Sequence, residues 1–169
     1  IDYTESGDAS AQDLSTSGTL SFDDLDVTDV IDITSEVIEA GQAMWSAGEL
    51  DPDLKTKLEA GLSISGTDLE APGSVGWSYS VAAANLDFLA AGETLTLTYR
   101  VTVTDSEGAT ATDDVTITIT GTNDAPEVTA DDAGLFTESE SADKQTLSDI
   151  GNVDFTDKDL TDDIDIRFV

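Results

Sequence analysis

The sequence predicts an all-β sandwich with a short helical insert, and three observations carry that reading. Apolar residues recur at every second position in several short runs, the period of half-buried strands. Clusters of Gly, Asn, Asp and Ser punctuate those runs as turns. A single stretch, Asp51 to Gly61, carries helix signals instead. Many short strands with one helix resolve into two packed sheets.

In chain order, Thr19 to Phe22 reads as a strand, Asp23 to Asp29 as an acidic loop, and Val30 to Thr34 as a second strand. Ser35 to Trp45 stays open between a short helix begun by Ser35 and an irregular insert. The next helix is better marked. Asp51 can cap it, Pro52 suits its first position, Leu54 and Leu58 lie one turn apart, and Gly61 is expected to end it. The helical insert therefore spans about residues 35–61 and should pack across one edge or end of the sandwich. Leu62, Ile64 and Leu69 return to extended structure. Val75, Trp77, Tyr79 and Val81 share a strand face, which makes both aromatics core residues. Leu86, Phe88 and Leu89 cover a core end.

The longest signal follows. Leu95, Leu97, Tyr99, Val101 and Val103 alternate with polar residues, Asp105-Ser106-Glu107-Gly108 supplies a turn, and Val115, Ile117 and Ile119 resume the alternation. This is a long antiparallel hairpin. Gly121-Thr122-Asn123-Asp124-Ala125-Pro126 stops it, since proline has no N–H and holds Ala125 extended.

Residues 4–33 recur at 137–166 with a constant offset of 133 and no gap, sixteen of thirty positions being identical. Phe22, Asp24, Asp26, Thr28, Asp29 and Ile31 match Phe155, Asp157, Asp159, Thr161, Asp162 and Ile164. The expected organisation is one complete repeat over residues 1–125, then a linker and the opening of a second repeat over 126–169.

Six basic against 37 acidic residues give a formal charge of −31. Such a chain repels nucleic acid and anionic lipid and attracts cations. A disordered acidic tail would explain the charge but not the alternating strands. With no Cys and no His, disulfides, thiolate chemistry, imidazole catalysis and ordinary zinc sites are excluded. Hard cations, which take six to eight oxygen ligands, fit the composition better.

The segments Ala91-Gly92-Glu93-Thr94-Leu95, Thr104-Asp105-Ser106-Glu107-Gly108 and Ile119 to Pro126 resemble the C-terminal half of VCBS-type repeats. These are immunoglobulin-like or cadherin-like modules strung in tandem in giant bacterial RTX adhesins. The resemblance spans most of residues 4–126 and is weakest between Thr34 and Gly73. It implies a Greek-key sandwich, export by type I secretion, a secreted location at the bacterial cell surface, and a part in cell attachment and biofilm formation. The implied partners are neighbouring repeats of the same chain, with cell-surface glycans or proteins engaged by other regions of the parent. Nucleic acid and membrane insertion are not implied.

Three acidic constellations are candidate Ca²⁺ ligands, each of which can also be a plain polar turn. The first is Asp24, Asp26 and Asp29, repeated as Asp157, Asp159 and Asp162. The second is Asp105 with Glu107. The third is Asn123 and Asp124, with Glu5 or Glu138 at the start of a repeat; here the resemblance to cadherin-type junctions favours a site. Asn123 and Asp124 are expected to face Asp157, Asp159 and Asp162. Asp105 and Glu107 are expected to pair with Glu5, Asp24 and Asp26. No residues suggest catalysis, since paired carboxylates in the turns of a small sandwich lack a cleft. The expected role is a Ca²⁺-stiffened extender; the alternative is a Ca²⁺-dependent glycan-binding module around the insert, signalled by an exposed Trp45. The segment from Ala133 to Val169 could also pair with another chain's sheet edge.

Overall fold

The hairpin forms as its alternation requires. In the computed structural model, β8 (Thr94–Thr104) and β9 (Thr110–Thr120) pair antiparallel from Thr94↔Thr120 to Thr104↔Thr110. The structure describes residues 1–169 except 8, 27, 39, 40, 65, 131–133, 135, 138, 139, 141–144, 168 and 169. In the turn, Asp105 Oδ1 accepts from the N–H groups of Glu107 (3.0 Å) and Ala109 (2.7 Å), and Gly108 adopts φ +88°. That conformation is open to glycine at no steric cost.

The hairpin nucleates the larger sheet. β3 (Val30–Val37) pairs with the free side of β8, and β6 (Gly66–Glu70) pairs with β3. β4 (Met44–Trp45) joins β8 at Thr96 and Leu95, and β1 (Asp2–Thr4) runs parallel to β9. The second sheet has the order β2-β7-β5, formed by Gln12–Phe22, Gly73–Ala84 and Leu62–Ile64. Successive connections cross from β2 to β3, from β5 to β6, from β6 to β7 and from β7 to β8. That is the Greek-key connectivity of an immunoglobulin-like sandwich. The fold is an all-β sandwich with one short helix.

The insert is smaller than residues 35–61. Ser35, Glu36 and Val37 continue β3, and Met44 and Trp45 form β4; the α-helix among the described residues of this stretch is α1 (Pro52–Glu59). Alternation outweighs the helix signal at Ser35 because β8 offers partners out to Val37↔Tyr99. Asp51 caps α1 as expected, its Oδ1 accepting from Asp53 and Leu54 N–H at 3.0 Å. Gly61 serves a different end from the one expected: it is not in the left-handed conformation, and a Cβ there would lie 2.6 Å from the Tyr79 ring. Its smallness lets α1 settle onto β7. Strand β2 also begins earlier than Thr19, at Gln12.

Two tyrosines tie that helix to both sheets. Tyr79 on β7 and Tyr99 on β8 both donate to the carbonyl of Leu58, at 3.3 and 2.7 Å. A helix's last carbonyls have no partner within the helix; that of Leu58 accepts from Gly61 N–H at 3.2 Å as well as from the two buried phenols. Leu54 and Leu58 are buried, as are Tyr79 and Val81; Trp77 is half-buried at the edge of the core. Among the described residues, every buried apolar side chain lies between Ala9 and Ile119.

Beyond Pro126, β10 (Glu127–Ala130) and β11 (Val153–Thr156) form a two-stranded hairpin. Local hydrogen bonds of the first copy recur here. Gln12 Nε2 donates to the Thr4 carbonyl at 3.2 Å, and Gln145 Nε2 to that of Thr137 at 2.8 Å. Asp26 N–H donates to Asp24 Oδ1 (2.9 Å), as Asp159 N–H does to Asp157 Oδ1 (3.1 Å). Asp29 N–H donates to the Asp26 carbonyl (2.8 Å), as Asp162 does to Asp159 (3.2 Å). Leu14 is fully buried whereas its counterpart Leu147 is 56% exposed. Among the described residues no helix is long and apolar enough to cross a membrane.

Leu58→Ala should lower stability by about 3 kcal/mol, the usual cost of emptying a leucine site. Tyr99→Phe should cost about 1 kcal/mol by weakening the hold on the Leu58 carbonyl. Urea titrations monitored by circular dichroism measure both.

Candidate metal centre

Four pieces of chain meet at the end of the sandwich where β9 leaves it. Because β1 runs parallel to β9, the residue after β1 is carried to the exit: Glu5 N–H donates to the Thr120 carbonyl, and Glu5 Oε2 accepts from Thr122 N–H, both at 2.9 Å. The loop between β7 and β8 contributes Asp87, whose Oδ1 accepts from Ala9 N–H. The exit itself contributes Asp124. Its N–H donates to Oδ2 of Asp159, in the second-copy loop, at 2.9 Å.

Carboxylate oxygens of Glu5, Asp87 and Asp124 lie within 4.8 Å of one another. Glu5, Asp124 and Asp159 are only 4%, 7% and 2% exposed. Each of these three keeps one oxygen with no hydrogen-bond partner: Glu5 Oε1, Asp124 Oδ2 and Asp159 Oδ1. A buried unpaired polar atom costs roughly 1–3 kcal/mol, more when charged. Among the described residues, the cation seen against the group is Lys158, with Nζ 3.3 Å from Asp87 Oδ2. One lysine does not balance four carboxylates.

The electrostatics follow. Burial pushes the Glu5 carboxyl up to about 7; the Thr122 N–H opposes this, and the charges of Asp124, Asp159 and Asp87 add to it. Asp159 is raised too, first by burial and then by the charges of Asp162, Asp124 and Asp157 against the Asp124 N–H. The donor set is oxygen only, partly desolvated and strongly negative. That suits a hard divalent cation and suits zinc or copper poorly. Glu5, Asp87, Asp124 and Asp159 are the residues that fit such an ion.

Asn123 and Asp124 were expected to face Asp157, Asp159 and Asp162, and the structure brings Asp124 and Asp159 into contact. Asn123 is exposed and turns its amide onto the Asp124 carbonyl. Asp157 and Asp162 shape the loop around Asp159 through the hydrogen bonds given above. Glu138 lies outside the described residues.

The other pairing differs from expectation. Asp105 meets Asp24 and Asp29, with carboxylate oxygens within 4.8 Å, at the opposite end of the sandwich. Glu5 is not there, because β9, eleven residues and about 35 Å long, separates the two ends. Asp26 and Glu107 are exposed outside this group and reach it through their backbone, with N–H groups given to Asp24 and Asp105 and the Asp26 carbonyl accepting from Asp29.

Two participants have no place among the sequence candidates. Asp87 stands between buried Leu86 and half-buried Phe88; an acid inside an apolar cluster was its available signal. Glu93 accepts from Trp45 Nε1 (2.9 Å) and Ala90 N–H (3.1 Å) through Oε2, and from Thr161 Oγ1 (2.6 Å) through Oε1. It links the insert to the second-copy loop. Trp45 is half-buried and packs edge-on against Phe88, with centroids 4.9 Å apart at 82°. Beside them Leu54, Asp87, Lys158 and Leu160 line a cavity of about 500 Å³, together with the polar Glu49, Asp51 and Asn85.

No protein-family model and no curated protein matches the chain. Among solved structures it is similar to AggA, the major subunit of aggregative adherence fimbriae type I from Escherichia coli, at 16% identity and a TM-score of 0.42. The match covers 71% of this chain and 89% of that one. A likeness this distant leaves the functional argument to the site itself.

Without divalent cations, stability should fall as pH rises. Between its ordinary 4.5 and about 7, Glu5 keeps its proton in the folded chain and loses it in the unfolded one. The folded state then binds more protons, so each step up in pH across that window favours unfolding. Thermal melts in chelator-treated buffer should record the decline, and Glu5→Gln should flatten it.

Proposed function

We propose that the chain is a Ca²⁺-binding structural extender of a secreted bacterial surface adhesin, with residues 126–169 forming the linker and head of a following repeat. The observation that carries this reading is the contact between Asp124 and Asp159, made where Glu5, Asp124 and Asp159 each bury an unpartnered oxygen. A cation held by these groups and Asp87 would neutralise carboxylates that otherwise repel across the junction. It would also fix the extended linker that begins at Ala125-Pro126. The function is mechanical: rigidity is added between repeats, and no bond is made or broken. Export, attachment and biofilm formation belong to the same proposal and rest on the family resemblance.

Trp45 supports the extender over the glycan-binding alternative. Its indole N–H is already given to Glu93, and its ring edge is packed on Phe88. A sugar-stacking platform presents a free face and a free donor instead.

Saturating Ca²⁺, at 100 times its dissociation constant, should stabilise the chain by about 2.7 kcal/mol, or roughly 8 °C in Tm. Equal Mg²⁺ should do much less, because the smaller ion holds its water and demands octahedral geometry. Asp124→Asn with Asp159→Asn should abolish the Ca²⁺ shift and broaden the small-angle scattering profile. A Tm that does not respond to Ca²⁺ would sink the reading.

A further inference from the structure

We infer that the Asp24–Asp29 loop is a docking knob for the Glu5–Asp87–Glu93–Asp124 end of another copy of this module. The inference rests on the proposed junction and names a second partner for it.

The knob exists twice in this chain, and one of the two is already seated. In the second copy, Asp159 meets Asp124, Thr161 Oγ1 donates to Glu93 Oε1, Leu160 N–H reaches the Phe88 carbonyl at 3.4 Å, and Lys158 lines the cavity beside Trp45 and Phe88. In the first copy Asp26 and Thr28 occupy the places of Asp159 and Thr161, with the same backbone-to-carboxylate hydrogen bonds holding the loop in shape. Two loops with one local geometry present their side chains alike. Among the described residues the first meets Asp105 of its own hairpin turn and no residue of the exit end.

Leu25 adds an independent observation. It stands where the second copy has Lys158, and it is 96% exposed, the most exposed large apolar side chain described. Seated on another copy, it would enter the cavity between Trp45, Leu54 and Phe88, whose apolar lining has room for it. Asp24, Asp29 and Asp105, held together at this end, would then face the incoming Asp124 and Glu5 across the interface. Leucine cannot replace the Lys158 contact to Asp87. Docking through the first-copy loop therefore leans on a cation more heavily than docking through the second.

Within the intact chain, the resident loop blocks the socket, because it is tethered to it in the same chain, 35 positions separating Asp124 from Asp159, and an intramolecular partner outcompetes a dilute second copy. A chain ending at Ala125 frees the socket while keeping every buried apolar side chain among the described residues. Knob and socket lie at opposite ends, so contact between copies is head-to-tail and does not close on itself. In sedimentation velocity with millimolar Ca²⁺, the shortened chain should form a concentration-dependent ladder of oligomers that EGTA dissolves, and the intact chain should stay monomeric. Leu25→Asp in the shortened chain should return it to monomer with its melting temperature unchanged. The intact chain carrying Lys158→Glu and Leu160→Glu, whose added carboxylates expel the resident loop, should associate in the same way.

Two results overturn the inference: both open-socket chains remaining monomeric in Ca²⁺, or association that survives Leu25→Asp. If the intact chain still gains melting temperature with Ca²⁺ in either case, the junction reading stands and only the docking role of the first-copy loop falls. If that gain is missing too, both fall together.

Discussion

Unpaired negative charge at the exit of β9 is the constraint around which this molecule is arranged. Glu5, Asp124 and Asp159 are buried with one oxygen each unsatisfied, and Asp87 lies against them. In a sandwich whose core is complete without them, these side chains add nothing to apolar packing and oppose burial electrostatically. Such an arrangement costs stability unless a proton or a positive charge offsets it. The acidic residues point the same way, since Asp24, Asp29 and Asp105 gather at one end of the sandwich and Glu5, Asp87 and Asp124 at the other.

The architecture holds those ends in place. The Leu58 carbonyl receives a tyrosine from each sheet, so α1 works as a wedge fixed to both layers. Above it, Glu93 takes the indole of Trp45 with one oxygen and Thr161 with the other. The insert therefore shapes the socket in which the second-copy loop sits. Gly121 allows the chain to leave β9 this closely: a Cβ there would run into the backbone carbonyls of Leu89 and Ala90.

Much of this was legible beforehand, for identifiable reasons. Strict period-two alternation specified β8, β9 and the face of β7, because a register slip would turn every core side chain to solvent. The Asp51-Pro52 start of α1 was legible because capping is local chemistry. The fixed offset of 133 revealed the repeated acidic loop without any structural knowledge. What the pattern could not carry was long-range placement. Glu5 went to the exit end because β1 pairs parallel to β9, a choice no local signal encodes. Asp87 joined the cluster from a loop 37 residues before Asp124 in the chain. Ser35 to Val37 looked ambiguous because the strand that captures them, β8, lies far along the sequence.

The parallel pairing of β1 with β9 also settles how the module carries load. Asp2, Tyr3 and Thr4 lie beside Thr118, Ile119 and Thr120, so the entering and departing strands point the same way. Tension applied before Asp2 and after Thr120 draws these strands along their common axis in opposite senses. The bonds between them, including Glu5 N–H to the Thr120 carbonyl, are then strained together in shear and do not open one at a time from an end. A module tethered by its two termini in a flowing medium would resist through this short ladder first. The acidic cluster that meets the second-copy loop lies at one end of this ladder, so an ion held there would also clamp the strand on which the pull acts.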